Sequence, residues 1–446
     1  MTIATIENEV NYAALAVRVP KDLPKLPNSD HLYGLNVAGF LAVVDGSWLA
    51  RSGEIAVLFP AEAQISEGLA KFANLHRDAS LNQDTEESGY LEKNRRVRPM
   101  KLRGNVSKAL LLPLEKVAAY VAQSTVLGKE RLAAWEVEVL LSEGESFDTI
   151  NGVELSRKFV VPVKQANLSP AQAKLAKAFK RVDEKIFPQH IETEQYLRNE
   201  GHVAGSDIVI VTQKLHGTSV RFGNVPVLVK HTWLERLAQK IGIRVPTYEF
   251  DRIAGSRKVI KDPKSETQNH FYSKDVWSSA AEYFGNAIPK GYIVYGELVG
   301  FVDGSPVQKG YTYEETPMDG NPELYVYRVA HVNEDGILHD LSWDQVKAFA
   351  TSQGLKHTPE LWRGPKAALV LDKFAEKNFY SEWADGQVAY PDRPVQLSKG
   401  GTGKDEGIVL RVDKGGEVPY LLKYKNDSFY LFEADELDTE EETIEA

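Results

Sequence analysis

Hydrophobic and polar positions change their rhythm along this chain. From about residue 30 to 165, short apolar, β-branched runs are separated by turn residues: 35–46 (LNVAGFLAVVDG, closing on an Asp45-Gly46 turn), 53–60, 102–114, 135–141 (WEVEVLL) and 158–164. Short strands at this spacing predict a small barrel or sandwich. Residues 169–185 instead repeat Leu175, Phe179 and Val182 at helical spacing behind Ser169 and Pro170, an N-cap and a first-turn proline. From about 200, strands at 207–213, 292–300, 323–332, 407–412 and 420–425 alternate with a helix candidate at 232–242. That mixture predicts an α+β domain with a mostly antiparallel sheet.

Length and charge refine this picture. A chain of 446 residues calls for two domains. The formal charge of -10 is unevenly placed, because Glu433 to Ala446 hold eight acids and no base. The rest is close to neutral and free to concentrate basic residues locally. The acidic end is expected to be a disordered, solvated tail. Basic residues do concentrate in 93–108, where Lys93, Arg95, Arg96, Arg98, Lys101, Arg103 and Lys108 occur without an acid. The chain has no cysteine, which excludes disulfides, thiolate metal sites and cysteine nucleophiles. With no signal-like N-terminus and no apolar run long enough to span a bilayer, a cytoplasmic protein without a membrane partner is expected.

Four short motifs carry chemistry. In Gln213-Lys214-Leu215-His216-Gly217-Thr218, a lysine ends an apolar strand and a glycine-bearing turn follows. Such a lysine can be a nucleophile if its surroundings favour the neutral amine, and Gly217 would let backbone approach a phosphate. In Tyr295-Gly296-Glu297, a carboxylate interrupts an otherwise apolar strand and needs a partner. Asp405-Glu406-Gly407 repeats that theme. Lys423 and Lys425 lie two apart on one strand and so on one face, where an anion would relieve their repulsion. Each motif alone has a bland alternative: a surface lysine, an edge glutamate, a solvated basic strand. The glycines at 400, 401 and 403 do not form a Walker loop, since Ser398 and Asp405 break its pattern.

The order of the four motifs resembles the covalent nucleotidyltransferase superfamily of ATP-dependent DNA ligases, RNA ligases and mRNA capping guanylyltransferases. The Lys-x-His-Gly form looks like the RNA-ligase branches, since DNA ligases and capping enzymes typically carry aspartate at the position of His216. Those enzymes also place an OB domain after the last motif, whereas only 21 residues follow Lys425 here. The upstream strand-rich module, with RVRPMKLRGNVSKALLLPL, is similar to RNA ligases that carry an OB domain in front.

The resemblance implies an α+β fold: an N-terminal OB-like β-barrel (1–165), a helical linker (166–200), an adenylyltransferase domain with antiparallel sheets and flanking helices (201–432) and the acidic tail (433–446). It further implies that Lys214 takes AMP from ATP, that Glu297 holds the ribose or helps order Mg2+ or Mn2+, that Glu406 helps place that metal, and that Lys423 and Lys425 contact the phosphates. Gln213, His216 and Gly217 would line the nucleotide site. Arg257 would grip the ribose or the RNA end, with Lys230 as the alternative. Tyr327 would stack on adenine, next to Arg328 where related ligases often have an acid, and His190 and Thr193 would belong to the same pocket. Arg96, Arg98, Lys101, Arg103 and Lys108 would track RNA. The expected function is ATP-dependent joining of RNA 3′-OH and 5′-phosphate ends in RNA repair, by a monomer. The alternatives are a DNA ligase, a capping-like guanylyltransferase and a non-catalytic RNA-binding protein.

Overall fold

The computed structural model describes residues 3–124, 126–160, 182–229, 231–261, 275–313, 322–400 and 402–445. The chain divides into two units, one of Met1–Val163 with Tyr430–Ala446 and the other of Lys164–Phe429. The helix expected over 169–185 lies almost wholly outside the described residues, as does Lys230.

The first unit is built from short antiparallel strands. Ser146–Phe147, Ala14–Arg18, Ile55–Pro60 and Ala109–Pro113 form a four-stranded sheet in that order. Val57, Phe59, Leu110 and Leu112 enter one core cluster, while Ala56, Leu58 and Leu111 enter another. The alternation shows that this sheet is covered on both faces. Ring closure, which would define an OB barrel, is not among the pairings recorded between described residues.

Two sequence expectations fail in this unit. The run 35–46 is not one strand. It belongs to a hairpin of Leu32–Val37 and Phe40–Asp45 that turns at Ala38-Gly39, both with positive φ (52° and 78°). An alanine in that position carries no turn signal in sequence. WEVEVLL is helix over Ala134–Leu140, with Val137 buried and Trp135, Val139 and Leu140 exposed. Its alternating apolar and acidic residues look like a strand, but Glu136 closes back on the backbone N–H of Ala133 (2.7 Å), which favours a helical start.

The acidic end is likewise not a solvated coil. Asp427–Glu445 is one helix, and its acids meet the basic segment of the first unit. Arg96, 3% exposed, donates Nε and Nη2 to Glu62 (2.7 and 2.8 Å) and Nη1 to Asp438 (2.8 Å) and the Ala434 carbonyl (3.3 Å). Arg98 pairs with Asp435 (2.6 Å) and Asp438 (2.9 Å), and Lys108 lies 5.6 Å over the Tyr430 ring. Arg96 is therefore a buried structural cation rather than an RNA contact, and Arg98 and Lys108 are engaged by the helix. Lys101 and Arg103 stand exposed on the hairpin Met100–Leu102/Asn105–Ser107.

The second unit holds two larger sheets. Its main strands are β1 (Ile208–Lys214), β2 (Thr218–Leu228), β3 (Tyr248–Gly255), β4 (Tyr292–Val299), β5 (Glu323–Val332), β6 (Glu360–Pro365), β7 (Gly407–Lys414) and β8 (Glu417–Lys425). One sheet runs Glu194–Gln195, β8, β7, β1, β6; the other runs Ile260–Lys261, β3, β2, β4, β5, Leu338–Asp340. β1 is covered on both faces: Val209 and Val211 join one cluster and Ile210 another. Residues 215–217 carry the chain from the end of β1 in the first sheet to the start of β2 in the second. Lys214 thus stands where the chain crosses between the sheets.

Replacing Arg96 by alanine leaves the Glu62 carboxylate buried without its cation, so we expect a loss of about 3–5 kcal/mol in stability. Urea unfolding followed by tryptophan fluorescence measures it, with Lys101→Ala as an exposed control within ~0.5 kcal/mol of the parent.

Candidate active site

Strand register assembles the charged residues. Lys214 lies across from Gly407 on β7, and Gly407 lies across from Lys425 on β8. One pleat further, Val409 lies across from Lys423. Glu406 enters β7 just ahead of Gly407 and reaches this row as a buried carboxylate, 3% exposed. Its Oε1 is 2.8 Å from Lys214 Nζ and 3.6 Å from Lys425 Nζ, and its Oε2 is 3.8 Å from His216 Nδ1. Burial alone would raise the Glu406 pKa. Lys214, Lys425 and His216 outweigh it and hold the group below the ordinary carboxylate range.

Two glycines make these approaches possible. A Cβ on Gly217 would stand 2.2 Å from the Leu298 carbonyl oxygen, and one on Gly407 would stand 2.1 Å from that of Tyr424. Gly407 also holds φ at +145°, where side chains are strained. The glycine after His216 is required by contact with β4, a different reason from the phosphate approach expected from sequence.

Glu297 faces the same site. Ser219 Oγ donates to its Oε2 (3.2 Å), and its pKa is pushed up to about 7. Burial is the main cause, Glu406 adds to it, and Lys214, Ser219 and Arg257 oppose it. On β8, Lys423 is pushed down to about 7, first by burial and then by Lys425, Lys214 and Arg257, with Glu192 opposing. Four cations therefore influence one small region, an arrangement suited to a polyphosphate. Arg257 is exposed at its margin, 4.0 Å from Glu192.

Tyr327 is set by a bulge in β5: Tyr295 pairs with Arg328 and Gly296 with Val326, which leaves Tyr327 as the extra residue. Its hydroxyl is 2.5 Å from His190 Nδ1. Burial, then Arg221, Arg257 and Arg328, hold His190 well below the ordinary imidazole range, so the ring is neutral. Arg328 is buried, bonded to Asp340 through Nε (2.5 Å) and Nη2 (2.9 Å), and its guanidinium lies 4.4 Å over the Tyr295 ring. Its charge is absorbed inside the fold. Thr193 is half-buried beside Glu194–Gln195, which pairs with β8.

Gln213 is placed differently from expectation. It is 1% exposed, donates Nε2 to Asp405 (2.8 Å) and the Val395 carbonyl (3.0 Å), and accepts from Val395 N–H (2.8 Å). Both of its amide N–H groups and its amide oxygen are bonded within the fold, so its side chain anchors the strand carrying Lys214. Asp405 likewise points inward, accepting from Phe379 N–H (2.8 Å).

Sequence reading missed the aromatic wall around His216. The His216 N–H donates to Tyr313 Oη (2.8 Å), and its ring meets Tyr311 and Phe429 edge-on at 5.3 and 4.9 Å. The Tyr-x-Tyr spacing at 311 and 313, which puts both rings on one strand face, was the available signal.

Among the described residues no group of three or more His, Cys, Asp or Glu could hold a metal ion by itself. The two carboxylates present fit a cation that shares its coordination with phosphates and water. Glu406 Oε2, buried without a hydrogen-bond partner, is such a free ligand position.

A lysine held by a buried glutamate stands at a sheet crossover, with two lysines and a second glutamate close by. Residues 207–425 match the family model described as RNA ligase. The fold as a whole is similar to that of Naegleria gruberi RNA ligase. In its complex with PPi the identity is 13%, covering 96% of this chain and 99% of that one, with a TM-score of 0.53. A point mutant with AMP and Mn gives 13%, 95%, 98% and 0.53, and another with ATP and Mn gives 14%, 96%, 99% and 0.50. No curated protein sequence matched. No helix among the described residues is long and apolar enough to cross a membrane.

The Lys423 pKa of about 7 predicts a pH dependence of anion binding. This lowered group is charged below about 7 and neutral above it, so affinity for ATP without metal should fall as pH rises from 6 to 8.5, by up to about tenfold per unit. Lys423→Met should flatten the curve, as read by fluorescence titration across that range.

Proposed function

We propose that this chain is an ATP-dependent RNA ligase that joins 3′-OH and 5′-phosphate ends through lysyl-AMP and RNA-adenylate, in RNA repair. The carrying observation is the Lys214–Glu406 contact with Lys423 and Lys425 beside it. The Naegleria relatives, bound to ATP or AMP with Mn, support the choice of nucleotide and of a divalent ion, Mg2+ or Mn2+.

Lys214 Nζ attacks the α-phosphorus of ATP. An N–P bond forms, the bond to pyrophosphate breaks, and the amine proton passes to solvent. AMP then moves from Lys214 to the RNA 5′-phosphate, which frees the lysine. The 3′-hydroxyl attacks the activated phosphate, loses its proton and expels AMP. Lys423 and Lys425 stabilise the charge that builds on the phosphate oxygens, where fixed cations in a water-poor site act most strongly. Glu297 and Glu406 would hold the divalent ion, which when bound neutralises phosphate charge. Tyr327 offers its ring to adenine, and Lys101 and Arg103 track the RNA backbone.

Incubation with α-labelled ATP and magnesium, followed by denaturing electrophoresis, tests the first step. A labelled band from the parent and none from Lys214→Ala is the expected result; label on the variant would move the nucleophile elsewhere. For RNA binding, Lys101→Ala with Arg103→Ala should reduce the slope of log affinity against log salt by about one per lost phosphate contact. An unchanged slope would assign the RNA path to other residues.

A further inference from the structure

Arg221 lies on β2, two residues beyond Ser219 and on the same face. Register places it across from Tyr295, which in turn lies across from Arg328. Arg221 is fully buried, at 0% exposure, yet Nε, Nη1 and Nη2 all lack a hydrogen-bond partner among the described residues. Its guanidinium lies 4.9 Å over the Phe187 ring. An arginine cannot escape the cost of burial by losing its proton at ordinary pH, and buried polar groups in folded proteins are almost always bonded. Arg328, across the same sheet, illustrates the usual solution with its bidentate Asp340.

A second orphan lies on the same side. The His190 ring meets the ring of Tyr295, the residue across from Arg221, edge-on at 5.2 Å, and its Nδ1 is occupied by the Tyr327 hydroxyl. Its Nε2 is buried without a partner. Two unmet groups therefore flank Tyr295, near Tyr327: a donor that cannot accept, and a neutral imidazole nitrogen able to accept.

We infer that Arg221 and His190 read the Watson–Crick edge of the nucleobase, Arg221 donating to adenine N1 and His190 Nε2 accepting from the exocyclic amine. This rests on the reading of the site as nucleotide-accepting. Guanine presents the opposite pattern, N1–H toward Arg221 and a carbonyl oxygen toward the imidazole lone pair, so both contacts fail with GTP. For Nε2 to accept, Nδ1 carries the ring proton and donates it to the Tyr327 oxygen. Arg221 and His190 thus set nucleotide choice rather than the rate of the phosphoryl step.

The test is lysyl-AMP formation by the full chain with ATP, 1-deaza-ATP, purine riboside triphosphate and GTP. Variants are Arg221→Met, which keeps length but removes the donors, and His190→Phe, each with a melting curve. The parent should show a KM for 1-deaza-ATP about 10- to 100-fold above that for ATP, the effect of one hydrogen bond to a charged group. In Arg221→Met, the KM for ATP should rise to that of 1-deaza-ATP, with a Tm close to the parent's, since no hydrogen bond of the fold is lost. His190→Phe should in the same way cease to distinguish ATP from purine riboside triphosphate. A parent that uses 1-deaza-ATP as well as ATP overturns the inference even if a variant fails to fold. So does Arg221→Met with the parent KM, which would leave Arg221 a guanidinium solvated by buried water. No label on the parent with any nucleotide is a different result, and it removes the adenylation reading itself.

Discussion

Glu406 is an anion taken almost wholly out of water, and the arrangement of the site follows from what that demands. A buried carboxylate is stable only if cations stand close, and Lys214 and Lys425 do so. These two would repel each other strongly without it. Glu406 therefore lets several positive charges share a small volume, and at the same time aims the Lys214 amine. In Val409's row, burial together with the neighbouring cations makes the charge of Lys423 costly to keep, with Glu192 opposing. An incoming polyphosphate would meet a site whose positive charge is already assembled but incompletely neutralised. Preorganisation of this kind is what phosphoryl chemistry requires of a protein.

Backbone geometry sets the tolerance of that arrangement. β1 and β2 belong to different sheets, and only Leu215, His216 and Gly217 join them. The Tyr313 hydroxyl holds the turn by its His216 N–H, and Gln308 holds it by the Gly217 carbonyl (2.7 Å). On the other side of β1, the Gln213 amide is bonded at both ends. Lys214 is thus fixed from two sides by neighbours that do no chemistry themselves. The motif around the lysine reads as a chemical signature, yet most of its residues serve to place a single amine.

How far the sequence alone revealed this depends on the kind of residue. Lys214, Glu297, Glu406, Lys423 and Lys425 were legible because charged groups at the ends of apolar strands are anomalies, and the structure brings all five to one region. The strands of the second unit were legible for a related reason: β-branched runs buried on both faces have no helical period. What could not be read was pairing. Arg221 looks in sequence like any polar residue on a half-buried strand, and nothing local tells that its face is closed. Tyr311, Tyr313 and Phe429 converge on His216 from separate parts of the chain. WEVEVLL alternates as a strand would, but Glu136 caps a helix there. Gln213 sits next to the nucleophile, and its adjacency in sequence suggested a ligand contact, whereas alternation along β1 turns it to the opposite face.

The acidic end makes the same point about charge. Counted along the sequence, its eight acids looked like a solvated tail and the 93–108 segment like an open nucleic-acid track. In the first unit, the two compensate each other: Arg96 and Arg98 meet Asp435 and Asp438 on the face of a helix. Arg96 is also the partner of buried Glu62, so it would be needed by the fold even without the helix. A basic run is thus divided. Arg96, buried, and Arg98, exposed, balance acids of the same unit, whereas Lys101 and Arg103 stand exposed on the hairpin. A charge run in sequence specifies how much charge must be accommodated; the fold decides whether the protein or its substrate does so.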